Sequence, residues 1–165
     1  MKMFLVMTLF GVLGLSKQEA PQPAPPRFSE LSRDDIARLE RQRAVIAAEA
    51  KHRYGIPALR RDASDLEVLQ RLIDDKAFAK TQTYELQSLG VAFGDVLASE
   101  LPLRWVMVTD EYGTDPTLRL KKTSLQINAL TMISQRVERG DRVDLDQLLR
   151  TTREYVRRFS KTGTM

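Results

Sequence analysis

Three carboxylates lie close together in segment 110–116, which reads DEYGTDP. Asp110, Glu111 and Asp115 could hold a hard cation through oxygen ligands, or could repel one another enough to raise one pKa toward that of a general acid. The spacing is not that of an EF-hand loop, and aspartate and glycine are also ordinary turn residues. We therefore expect an exposed turn. With Tyr112 among the acidic residues, this turn is the first candidate for a partner-binding surface.

A second group of polar residues lies in segment 134–139, which reads SQRVER. Arg136 and Arg139 are three residues apart on a predicted helix and could present two guanidinium forks to a carboxylate or phosphate. Alternatively, Arg136 pairs with Glu111 or Glu138 and holds the helix against the acidic turn. We predict this ion pair.

The composition excludes several classes of chemistry. The chain contains no cysteine and one histidine, His52. Disulfides, thiolate metal sites, cysteine nucleophiles and histidine-based triads are therefore excluded or nearly so. No glycine-rich phosphate loop or zinc-ligand spacing is present. We predict no catalytic residue, no bound metal and no cofactor.

The net charge of +4 is carried by the two ends of the chain. Residues 1–28 and 141–165 each carry an excess of two positive charges, and residues 29–140 are neutral. A nucleic-acid-binding protein usually concentrates basic residues on one face. We therefore predict no nucleic-acid partner. An arginine-rich final helix leaves a cytoplasmic adaptor that binds lipid or nucleic acid as an alternative.

The N-terminal segment has the composition of an export signal. Residues 3–15 are uncharged and mostly apolar, and they follow Lys2. This run is too short for an ordinary transmembrane helix and matches the apolar core of a signal peptide. We predict that residues 1–16 are a signal peptide or an N-terminal anchor and that residues 17–28 are a proline-rich spacer. The protein is then periplasmic, or anchored to the inner membrane and facing the periplasm. A buried element of a cytoplasmic protein is the alternative.

Helical periodicity predicts three helices before any strand. Ser32 can cap the first, in which Arg43 falls within the apolar stripe. The sequence at 64–67 matches a capping box for the second. The third spans about 81–100 and carries small residues at Gly90, Gly94 and Ala98, which suit close packing inside the domain or against a partner.

The chain then changes to short alternating runs at 105–108, 117–121 and 124–128. Their short connections favour an antiparallel meander, with Trp105 in the core. Helical spacing returns at 130–139, and Asp144 can cap a last helix. The predicted fold is one α+β domain over 29–160, with three N-terminal helices, a three-stranded meander and two C-terminal helices. We expect residues 161–165 to be a frayed tail.

Residues 89–149 resemble a known bacterial family. The glycine-containing helix around Gly90 and Gly94, the run from Trp105 to the DEYG sequence, and the ISQRVERG segment at 133–140 together resemble DUF3806, a domain of unknown function. The resemblance implies a small α+β domain and no particular activity.

These observations favour an exported, non-enzymatic protein-binding domain of the bacterial envelope, with an immunity or inhibitor protein as one version. The alternative is a small carboxylate-based enzyme or cation-binding domain built on the acidic turn.

Overall fold

The computed structural model describes residues 25–162, which combine α-helices with one antiparallel sheet, as predicted. The predicted signal segment and most of the predicted spacer lie outside these residues. In chain order the elements are β1 Arg27–Ser29, α1 Arg33–Tyr54, a 3-10 turn Ala63–Asp65, α2 Leu66–Asp74, α3 Thr83–Glu100, β2 Leu103–Asp110, β3 Gly113–Leu120, β4 Gln126–Ile127, α4 Ala129–Met132, α5 Ser134–Arg139 and α6 Leu145–Thr162. Within this range no helix is both long and apolar enough to cross a bilayer.

The sheet has four strands in the order β1-β2-β3-β4, so the prediction of three strands was wrong. The predicted meander is present as β2, β3 and β4, and the additional strand β1 pairs with residues 107–109 of β2. Arg27 and Phe28 therefore belong to the sheet and not to a spacer. A three-residue strand is too short to show alternation in its sequence, and here it follows a proline-rich run that suggests a linker.

The predicted cap of α1 is confirmed, whereas that of α2 was wrong. Ser32 and Asp35 form a reciprocal capping box at the start of α1, and their hydrogen bonds lower the pKa of Asp35. Ser64 does not cap α2, because it lies inside the 3-10 turn and its hydroxyl donates to Asp62 at 2.6 Å. The residue before α2 is the buried Asp65, which forms no side-chain cap. Its carboxylate accepts the backbone N–H groups of Arg60 and Arg61, at 3.0 and 2.7 Å. This contact accompanies the positive φ of 63° at Arg61.

The C-terminal part contains three helices where two were predicted. The predicted helix over 130–139 divides into α4 and α5 at Ile133, whose side chain is fully buried. Ile133 keeps helical backbone angles, so the apolar periodicity of the sequence does not reveal the break. Asp144 caps α6 as predicted, accepting the Gln147 N–H at 2.8 Å. Helix α6 continues through Thr162, two residues into the predicted tail.

Helix α3 is the centre of the domain, because every residue from 88 to 97 is buried. The glycine strip is internal on this helix. A Cβ atom at Gly90 would lie within 3 Å of the backbone of Ala129 and Leu130, and one at Gly94 would overlap the Trp105 ring. Glycine at these two positions lets α4 and β2 approach the α3 backbone directly.

The packing at Gly90 predicts that alanine is destabilising there. Alanine favours a helix over glycine by about 1 kcal/mol, but the added Cβ would overlap backbone atoms that cannot rotate away. We expect Gly90→Ala to lower the free energy of unfolding by about 1–3 kcal/mol in urea titrations. Ser99→Ala, on the exposed end of the same helix, should change it by less than about 0.5 kcal/mol. A gain in stability for Gly90→Ala would contradict the close contact with α4.

Candidate functional site

The β2–β3 hairpin ends in a two-residue turn formed by Glu111 and Tyr112. Asp110 pairs with Gly113 across the hairpin, and Gly113 has a φ of 134° that favours glycine. The Asp110 carboxylate accepts the Tyr112 N–H at 2.9 Å, an Asx-type contact within the turn. The predicted turn is therefore tighter than segment 110–116, since residues 113–116 belong to β3.

Tyr112 is the most exposed large hydrophobic side chain among those that the structure describes, with 89% of its surface accessible. Glu111 and Asp115 are also exposed, whereas Asp110 is partly buried. The hydroxyl groups of Thr109 and Thr114 are 3.0 Å apart across the strands, and Asp115 is 3.6 Å from Arg38 of α1. These contacts hold the base of the turn while Tyr112 projects into solvent.

The three carboxylates of this hairpin are not arranged as metal ligands. Within residues 25–162 no group of three or more histidine, cysteine, aspartate or glutamate side chains could hold a metal ion. Asp110 and Asp115 instead bond to the turn backbone and to Arg38.

The predicted ion pair of Arg136 is not formed. Arg136 donates to the Met132 carbonyl oxygen at 2.6 Å, and in the described part of the chain no salt bridge joins it to Glu111 or Glu138. Arg139 pairs with Asp141 at 2.9 Å. The acceptor that a flexible arginine side chain contacts depends on the local geometry at the end of the helix. Residue spacing alone does not determine that geometry.

The six predicted site residues therefore lie in two separate places. Asp110, Glu111, Tyr112 and Asp115 share the hairpin tip, and no hydrogen bond or ion pair of the described residues links this tip to Arg136 or Arg139.

The sequence did not predict a buried charged cluster between α1, α3 and β2. Arg43 donates from Nε and Nη2 to the two carboxylate oxygens of Asp95, both at 2.6 Å. Trp105 Nε1 donates to Asp95 Oδ1 at 2.9 Å. The side chains of Arg43 and Asp95 are only 14% and 7% exposed. The sequence did contain a signal for this cluster. Arg43 lies in the apolar stripe of α1 and Asp95 lies among the apolar residues of α3, so two opposite charges are placed on apolar helix faces.

The cluster continues toward the surface through Glu40. Arg43 Nη1 donates to Glu40 Oε1 at 3.1 Å, and Arg61 donates to both Glu40 oxygens at 3.1 and 2.7 Å. The hydrogen bond from Arg61 is the main reason that the pKa of Glu40 is lowered. A cleft of about 270 Å³ lies beside these residues, and its walls include Ala47, Pro57 and Ala58.

This cluster is suited to stabilising the fold. Burial acts to lower the pKa of Arg43, but the hydrogen bonds and negative charges of Asp95 and Glu40 outweigh it, so that the pKa is raised. Arg43 therefore stays charged, and its fork is occupied by protein carboxylates. Arg43, Asp95 and Glu40 are all hydrogen-bonded, so none of these three side chains is left as an unbonded nucleophile or general acid.

The buried pair predicts strong energetic coupling. Asp95→Ala should lower the free energy of unfolding by about 3–5 kcal/mol, because Arg43 would be buried without its counter-charge. With the single variant Arg43→Met, the double variant Arg43→Met/Asp95→Ala completes the cycle, and the double variant should lose much less than the sum of the two single changes. Chemical denaturation, monitored by the fluorescence of Trp105, gives the free energy of unfolding of all four proteins.

The matched control is the exposed pair of Arg104 and Glu30, at 2.8 Å. Its coupling energy should be below about 1 kcal/mol. Additive effects of Arg43 and Asp95 would show that the buried cluster does not act as a unit.

The fold is similar to that of a solved protein from Bacteroides thetaiotaomicron VPI-5482. The TM-score is 0.72 at 15% sequence identity, and the match covers 81% of this chain and 49% of the other. The chain thus spans about half the length of that protein. This likeness concerns the fold alone. No curated protein matches the sequence.

The family model for DUF3806, a domain of unknown function, matches residues 65–148. The match begins well before residue 89 and includes α2, so the family domain is longer than the resemblance in the sequence suggested. It contains Asp95, Trp105 and the hairpin tip, and it covers half of the sequence. The chain belongs to the DUF3806 family.

Proposed function

We propose that this protein is an exported, non-enzymatic protein-binding domain of the bacterial envelope, and that the hairpin tip contacts its partner. An immunity or inhibitor protein is one concrete version. The observation that supports the proposal is the exposure of Tyr112 at 89% on a turn whose neighbouring residues are bonded in place.

A projecting tyrosine is suited to protein recognition. Its ring offers a large apolar area with few rotatable bonds, and its hydroxyl can still form a hydrogen bond. Because the hairpin is already held by the contacts of Asp110, Thr114 and Asp115, little conformational entropy would be lost on binding.

The charge of the tip favours a basic partner surface. Asp110, Glu111 and Asp115 contribute three negative charges, and Arg38 balances only one of them. Complementary positive charge on the partner would speed association and orient the encounter.

Binding at the tip predicts that Glu111→Lys and Tyr112→Ala weaken partner capture by the purified protein from envelope extracts of the host. We expect each to reduce the amount of retained partner by about tenfold or more, as for central interface residues. The thermal midpoint should change by less than about 3 °C, because neither side chain is buried. Asp110→Lys is a less specific probe, since Asp110 also accepts the Tyr112 N–H.

The matched controls lie elsewhere on the surface. Tyr84 is another exposed tyrosine, at 46%, and Tyr84→Ala should leave capture unchanged. Glu154→Lys reverses an exposed acidic residue of α6 and should also bind normally. Capture that is insensitive to Glu111→Lys and Tyr112→Ala would exclude the hairpin tip as the binding surface.

Export is tested separately by the intact mass of the protein from fractionated host cells. Cleavage after Ser16 would give a periplasmic species lacking sixteen residues. The full-length mass in the inner-membrane fraction would indicate an anchor. The full-length mass in the cytoplasm would contradict the proposed location.

A further inference from the structure

We propose that a second site, the groove between the C-terminal end of α2, the N-terminal part of α3 and α5, binds a single-chain amphiphile with an anionic head group, such as a medium-chain fatty acid. The tail would lie on the apolar floor, and the head group would bind Lys76 and Lys80. This groove is distinct from the hairpin tip, and the inference does not depend on the proposed function.

The groove has the size and composition of a ligand site. Its volume is about 550 Å³, within the usual range of roughly 300–1,000 Å³ for small-molecule pockets. Most of its walls are apolar side chains from three separate parts of the chain, with Leu72, Ile73, Phe78, Leu86, Leu89 and Val137 among them. An alkyl chain matches such a surface because it needs no hydrogen-bond partner.

The rim supplies positive charge without matching negative charge. Lys76 and Lys80 both line the groove and are exposed, and neither forms an ion pair within the described residues. The acidic residue of the rim, Asp141, is already paired with Arg139 at 2.9 Å. Two unpaired ammonium groups beside an apolar groove are complementary to a carboxylate attached to an alkyl tail.

Lys80 reaches across the mouth of the groove toward Gly140. A Cβ atom at Gly140 would lie 2.9 Å from the Lys80 Nζ, so the ammonium group lies against the backbone at the end of α5. The two lysines therefore approach the opening from the 76–80 segment, and Lys80 extends to its opposite side.

Lys76 has a left-handed backbone conformation, which makes it a useful position for a test variant. Lys76 follows α2 with a φ of 48°, and the Ala77 N–H donates to the Leu72 carbonyl at 2.9 Å. This is the position of a Schellman cap, where glycine is strongly favoured. Lysine there is less stable than glycine would be.

The test is isothermal titration of the full chain with dodecanoate, below its micelle concentration. Dodecyltrimethylammonium has the same tail with the opposite charge, and acetate has the head group without the tail. We expect dodecanoate to bind at least tenfold more tightly than either. Affinity should increase by about sixteenfold from octanoate to decanoate, since each buried methylene adds roughly fourfold.

Two lysine variants locate the site. Lys80→Ala should weaken dodecanoate binding by about fivefold, the effect of a partly exposed ion pair. Lys76→Gly should weaken it similarly while raising the thermal midpoint, because glycine relieves the positive φ. If Lys76→Gly is more stable but binds dodecanoate less tightly, its loss of affinity cannot be explained by unfolding.

Lys121→Gly is the matched control. Lys121 also has a positive φ, 46°, and it does not line the groove. The Lys121→Gly variant should likewise have a higher thermal midpoint, but its affinity for dodecanoate should be unchanged.

Four results would overturn the proposal. Dodecanoate could fail to bind at millimolar concentration, or bind no better than the cationic amphiphile. The double variant Lys76→Gly/Lys80→Ala could bind as tightly as the unchanged protein. Finally, the protein could run as a dimer in size-exclusion chromatography that the double variant Lys76→Gly/Lys80→Ala converts into monomers, which would show that the groove is occupied by a second copy.

Discussion

A carboxylate in the middle of the most buried helix needs an opposite charge beside it, and Asp95 of α3 obtains one from Arg43 of α1. The third partner, Trp105, ties β2 to the same carboxylate. Three elements must therefore reach one point within hydrogen-bond distance. Because misalignment would leave a buried charge unpaired, the cluster favours one alignment of α1 and β2 on α3.

The glycines of α3 complete this constraint. Gly94 leaves room for the Trp105 ring on the helix surface, and Gly90 lets the backbone of α4 approach from the adjacent turn. The strand that carries Trp105 at its start also carries the acidic turn at its end. The direction of the hairpin tip is thus set by contacts made deep in the core, while Tyr112 at the tip is exposed to solvent.

Local patterns in the sequence predicted much of this fold. The cap at Ser32, the helix predicted over about 81–100 and the exposed turn around Tyr112 depend on neighbouring residues, and all are present, with the helix beginning at Thr83. The pairing of Arg43 with Asp95 joins residues 52 apart, and the pairing of Phe28 with Val108 joins strands separated by three helices. Such contacts depend on tertiary packing. The capping pattern at 64–67 was misleading because Ser64 lies inside a 3-10 turn and its hydroxyl bonds to Asp62 instead.

The place where the chain enters the sheet has a practical consequence. Arg27 pairs with Thr109, the residue immediately before Asp110, so the start of β1 lies at the same end of the sheet as the tip. Whatever is attached before Arg27 joins the folded domain beside Tyr112. An N-terminal fusion or surface linkage would crowd that end by excluded volume, and an immobilised protein would then present its tip toward the support.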